Sequence, residues 1–214
     1  MIIPDVTIGK QIGYRNKYRF TFFNDTYFQL IFYHDIRTEE KYFTENNVRH
    51  YIGHYMYSIL SDLETESYYK INGKYEFLIH YPELNGNNYN WWRQTLSPTI
   101  QTENDTRIDE DDHYVLGYEN VSVHYPTAGW GGLSLTNSTS YSYINGNINS
   151  VKWHYAIGCY GILEKGIPGP SYIYTNVVAL YAKINNLYMI RCISCKVYHT
   201  IPISNTYLYV FILM

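Results

Sequence analysis

Residues 130–160 read WGGLSLTNSTSYSYINGNINSVKWHYAIGCY, and the class of the fold follows from this stretch. Gly131-Gly132 allows positive φ or the close approach of another backbone or a ligand, and Asn145-Gly146 is a strong hairpin-turn signal. Beyond that turn Val151, Trp153, Tyr155 and Ile157 alternate with Lys152, His154 and Ala156, the period of two that marks a strand with one face in a core. Trp153 is therefore assigned to the core.

The same pattern extends in both directions. Tyr27–Ile36 (YFQLIFYHDI) is apolar on both faces, as expected of a strand covered from two sides. In Lys74–Tyr81, Tyr75, Phe77, Ile79 and Tyr81 oppose Lys74, Glu76, Leu78 and His80; Asn72-Gly73 supplies a turn and 68–71 the antiparallel partner. Further strands are expected at 55–60, 114–118, 121–125 and 176–184, where Val178, Leu180, Ala182 and Ile184 share a side. Thr44 is positioned to cap a short helix running toward His50 and His54, and Gly166–Pro170 reads as a rigid turn. The expectation is an all-β, jelly-roll-like antiparallel sandwich over residues 1–186. It carries at most one or two short helices, near 38–54, and 187–214 forms an atypical tail.

Composition narrows the function. A net charge of −3 with 16% charged residues lacks the basic footprint of a nucleic-acid binder. No apolar run reaches the ~18 residues of a membrane helix, and Pro4, Asp5 and two early glycines interrupt any signal-peptide core; the sequence reads as soluble. The 27 tyrosines suit half-buried strand faces, interfaces and sugar-stacking platforms alike.

Catalytic and metal motifs are sparse. Cys192-x-x-Cys195 stands without a second pair, and Cys159 is far from it in sequence, so neither a four-ligand zinc site nor a redox motif is specified. His50 and His54 lack the glutamate of His-Glu-x-x-His. The acidic run 105–112 lacks the spacing and glycine of an EF-hand. No cofactor is called for: there is no nucleophile elbow, P-loop or dinucleotide fingerprint. Glu76 and Glu119, on or beside expected strands, are the candidates for a glycosidase carboxylate pair. Sequons occur at Asn24, Asn104, Asn120 and Asn137, and they matter only on a secretory route.

The irregular stretch 83–113 holds Trp91-Trp92-Arg93. These residues either plug the end of the core or, with one indole inside and the other outside, join Trp130 in an apolar platform with Arg93 as donor.

The ordered motifs KYEFLIHYPEL, NWWRQT, GYENVSVHY, WGGLSL, INGN, WHYAIG, IPGP and VVALYAKI resemble a β-rich domain of large uncharacterised protist families of trichomonad type. That domain is similar to C-terminal modules of phage tail-fibre-like proteins. The resemblance spans Tyr27 to Ile184 and implies no catalytic residues. The functional expectation is a non-catalytic module that binds glycans or cell-surface ligands through aromatic loops. A structural or homo-oligomerising module and a glycoside hydrolase are the alternatives.

Overall fold

The computed structural model describes residues 10–15, 18–86, 88–100, 114–126, 129–135, 141–148, 154–161 and 166–185. The chain is all-β and antiparallel, as expected. Its first strands are β1 (Lys10–Arg15), β2 (Tyr18–Phe23), β3 (Thr26–Asp35), β4 (Tyr51–Ile52) and β5 (Met56–Ser58). Helix α1 (Asp62–Thr65) follows, then β6 (Lys70–Ile71), β7 (Lys74–His80), β8 (Tyr89–Gln94) and β9 (Glu119–Val123). The chain continues through β10 (Trp130–Leu135), β11 (Ser142–Asn147), β12 (Ile157–Cys159), β13 (Ile167–Pro168), β14 (Tyr174–Thr175) and β15 (Val177–Lys183).

The large sheet runs β1-β2-β3-β15-β7-β8-β9, with β5 paired to β3 and to β4, and β6 paired to β7; β10-β11-β12 form a second sheet and β13-β14 a ribbon. The last described strand along the chain, β15, is thus a central one. β15 pairs with β3 on one side (Val178 opposite His34) and β7 on the other (Leu180 opposite Ile79). All three strands are buried on both faces, which is why they carry nearly unbroken apolar runs.

The two faces are covered differently. On one, Trp92 and Gln94 meet the second sheet: Trp92, with Phe77 beside it at 5.6 Å, packs edge-on to Trp130 with centroids 4.7 Å apart. The Gln94 amide accepts from Leu133 N–H (3.1 Å) and donates to Leu133 O (2.9 Å). On the other face the sheet curls onto itself. Phe28 of β3 lies 5.6 Å from Trp91 of β8, and Phe23 of β2 lies 5.0 Å from Tyr89. A flat sheet would hold β3 and β8 roughly 14 Å apart, three strand spacings. Register shifts between Leu180 and Tyr181 and between Trp91 and Trp92 supply curvature.

Local expectations fared unevenly. Asn72 (φ 52°) and Gly73 (φ 81°) make the expected turn, and Tyr75, Phe77, Ile79, Tyr155, Ile157, Val178 and Leu180 are all core. Asn145-Gly146 is no turn but lies within β11. A Cβ on Gly146 would stand 2.6 Å from the Trp130 ring and 2.9 Å from Tyr155 Cβ, so this glycine serves close packing rather than chain reversal. Residues 89–94, expected to be loop, are β8. Glu119-Asn120, expected to join two strands, begins β9.

The α-helix sits at 62–65 instead of 38–54. Residues 44–50 form turns, with Val48 N–H on Thr44 O and His50 N–H on Asn47 O. Trp153, the acidic run 105–112, Cys192, Cys195 and the tail 187–214 lie outside the described residues.

Candidate functional site

The residues expected to form a platform do not form one. Trp91, Trp92 and Trp130 are 7%, 0% and 4% exposed. Each indole N–H has an internal acceptor: Glu76 Oε1 at 2.9 Å, Gln94 Oε1 at 2.8 Å and the Tyr118 hydroxyl at 3.0 Å. A buried aromatic with a satisfied polar tip is a core residue. Trp92 and Trp130 do meet, edge to face, inside the sandwich. Adjacent residues on β8 face opposite ways, so Trp91 and Arg93 lie on the other side of the sheet from that pair.

Arg93 belongs to an ionic network. Its Nε donates to Glu76 Oε2 (2.8 Å) and its Nη1 reaches Glu119 Oε2 (3.5 Å), while Lys183 also bonds Glu76 (3.1 Å) and Lys74 bonds Glu119. Both oxygens of Glu76 are thereby engaged. The Lys74 ammonium, then the Arg93 guanidinium, holds the Glu119 carboxyl below its usual range. A retaining or inverting glycosidase needs one carboxyl with a raised pKa as acid; Glu119 is shifted the opposite way, and Glu76 is tied to Trp91, Arg93 and Lys183. Among the described residues no group of three or more His, Cys, Asp or Glu is placed to hold a metal ion. Cys159 is buried, and desolvation pushes its thiol up to about 12, which keeps it unreactive.

Backbone strain lies elsewhere. Six described non-glycine residues have positive φ. Asn24, Asp25 and Asn72 occupy hairpin turns, where such values are ordinary. Ser171 (φ 51°) and Tyr172 (φ 67°) lie in the 169–173 loop of the β13–β14 hairpin, and Tyr155 (φ 57°) lies outside any hairpin turn; for a bulky side chain such as tyrosine this conformation is an outlier. The three belong to two segments bonded to each other: Tyr155 N–H donates to Gly169 O (3.1 Å) and Ala156 N–H to Pro168 O (2.8 Å).

Above this contact the turn Pro170–Tyr172 is closed by Ile173 N–H on Pro170 O and Gly169 N–H on Ile173 O, both 2.8 Å. It carries Tyr172, 58% exposed, with Ile173 and Tyr174 also exposed. Below lies an aromatic support. Trp130 packs on Tyr155 at 4.8 Å, the Tyr155 hydroxyl donates to Tyr125 O at 2.9 Å, and the His154 ring meets Tyr172 edge-on at 4.4 Å. The buried Tyr81 ring underlies Gly169, where a Cβ would sit 3.7 Å from it.

No protein-family model, curated protein or solved structure matches this chain. The functional reading therefore rests on its own residues.

The sequence places the turn at 166–170 without singling out the tyrosines after it, whereas Ile167–Pro168 pair in β13 and the chain reverses at 169–173. Ser-Tyr-Ile-Tyr directly following Pro-Gly-Pro is the available signal, because Pro and Gly mark a turn and connecting segments run over the surface.

Proposed function

We propose that the chain is a non-catalytic binding module that contacts glycans or cell-surface ligands through the tyrosine turn 170–174. The observation that carries this reading is the pair of left-handed residues Ser171 and Tyr172 at the apex of an exposed aromatic turn. Such backbone costs on the order of 1–3 kcal/mol per residue, and it persists at ligand clamps and similar sites where the surroundings enforce it. Here it orients an exposed ring that burial does not reward. Tyrosine offers an apolar face for the C–H side of a sugar and a hydroxyl for its polar rim. Loops fixed on a rigid scaffold are the usual place for recognition.

The test is a glycan array probed with the protein and with Tyr172→Ala. Specific binding that the substitution weakens at least tenfold, with unchanged thermal unfolding, supports the reading; binding indifferent to Tyr172 and Tyr174 refutes it. A second reading, a homo-oligomerising structural module, draws on the burial of all three described tryptophans and on β9, which ends the large sheet among the described strands. Light scattering after size-exclusion chromatography decides it: a monomer at high micromolar concentration excludes this alternative.

A further inference from the structure

Resting on that reading, we infer that Glu83 is the hydroxyl acceptor of the tyrosine turn, and that the ligand is an uncharged sugar. Residues 166–177 contain no Asp, Glu, Lys or Arg, so charge at the site comes only from what packs beside it. The 81–86 loop does so. Tyr81 lies under Gly169, and Glu83 Oε2 accepts from Asn176 N–H (2.7 Å) and from the Thr175 hydroxyl (3.3 Å), which puts its carboxylate beside the residue that follows Tyr174. Its other oxygen, Oε1, has a contact of 3.5 Å with the Asn176 amide. That is the outer limit of a hydrogen bond, and a carboxylate has about four acceptor positions. Glu83 is exposed, so acceptor capacity remains on the solvent side.

The neighbouring cation does not offset this charge. Arg37 is close enough for its charge to couple with Glu83, but it forks onto Asp35, Nε to Oδ1 at 3.0 Å and Nη2 to Oδ2 at 2.6 Å. The backbone joins this pair to the same corner, Ile36 N–H donating to Asn176 O at 3.0 Å. Asp35 and Arg37 cancel, leaving the surplus of one negative charge on Glu83. Vicinal sugar hydroxyls donate to a carboxylate in charge-assisted bonds, whereas a sialic acid, uronate or sulfate would meet like charge. The site thus selects neutral saccharides and disfavours acidic ones, an electrostatic preference that salt should weaken.

The experiment compares neutral oligosaccharides ending in glucose, galactose, mannose or N-acetylglucosamine with their sialylated, sulfated and uronate-terminated counterparts. Wild type, Glu83→Gln and Tyr172→Ala are each tested in low and physiological salt. The expected results are neutral-selective binding by wild type, a loss of roughly five- to tenfold for neutral ligands in Glu83→Gln, and reduced discrimination in that variant. The substituted amide keeps an oxygen for the Asn176 N–H, and a melting curve checks the variant's fold. The wild-type neutral-to-acidic ratio and its salt dependence need no variant at all. Equal or tighter binding of acidic glycans that still depends on Tyr172, or an unchanged affinity in folded Glu83→Gln, overturns the inference and leaves the tyrosine site standing. Absence of binding to every glycan overturns both.

Discussion

Lowering the pH from about 7.5 to about 5 should destabilise this domain by about 4 kcal/mol through two buried histidines alone. His34 lies on β3 and His80 on β7, both essentially inaccessible. Desolvation lowers His34 to about 4, against a partly opposing bond to Lys41 O at 2.8 Å. Desolvation likewise lowers His80 to about 3, against a hydrogen bond with Asn88. Both rings are neutral in the folded state at neutral pH, while the unfolded chain protonates them near pH 6.5. The folded pKa values are depressed, so the unfolded state binds more protons between 6.5 and those values. Stability is full above about 6.5 and falls as pH drops toward 4 and 3.

At pH 5 each unfolded imidazole is stabilised by about 1.5 pH units times 1.36 kcal/mol, about 2 kcal/mol. This figure is insensitive to the exact folded value, because both lie at or below 4. Urea unfolding at the two pH values measures the difference, and His80→Gln should remove about half of it. A stability that stays level to within about 0.5 kcal/mol, or a slope unchanged in His80→Gln, would refute the argument that these rings are buried neutral.

Other consequences follow from packing and backbone. Gly146→Ala should cost about 1–3 kcal/mol in urea unfolding, since its Cβ meets Trp130 and Tyr155 at 2.6 and 2.9 Å; a neutral substitution would mean β10 and β11 do not approach as described. Trp92→Ala and Phe77→Ala should each lose roughly 3–5 kcal/mol, and a loss under about 1 kcal/mol would place these rings outside the core. Ser171→Gly should raise stability by up to about 1 kcal/mol by releasing the left-handed backbone, while weakening ligand capture by loosening the turn. Lower stability in that variant would show that Ser171 is unstrained.

What the sequence makes legible depends on how many jobs a residue type can do. The β7 hairpin can be read because Asn72-Gly73 fits a tight turn and because apolar residues crowd 75–81. The doubly covered β3 can be read because no polar face interrupts 27–36. Asn145-Gly146 misleads because glycine serves equally for chain reversal and for close approach, and only the neighbouring Trp130 ring distinguishes them. Strand β8 is hidden for a related reason. Its Asn90 and Gln94 are buried, and they look like loop residues until their partners are known: Asn90 Oδ1 takes the His124 and Tyr125 N–H groups, and Gln94 binds Leu133. Strand alternation puts the paired tryptophans on opposite faces, which holds. What alternation cannot disclose is that the sheet curls and covers its second face as well, so both indoles are buried. The tyrosine turn escapes notice because neither exposure nor the sign of φ is written in composition.

The central claim is that ligands are held by the turn 170–174 and its support. The most direct measurement is a titration of isotopically labelled protein with a neutral oligosaccharide, following backbone amide resonances. The account expects perturbations concentrated at 168–176 and 81–84, and lost in Tyr172→Ala. Perturbations centred on the β8–β10 contact around Trp92 and Trp130, or none with any saccharide, would contradict it.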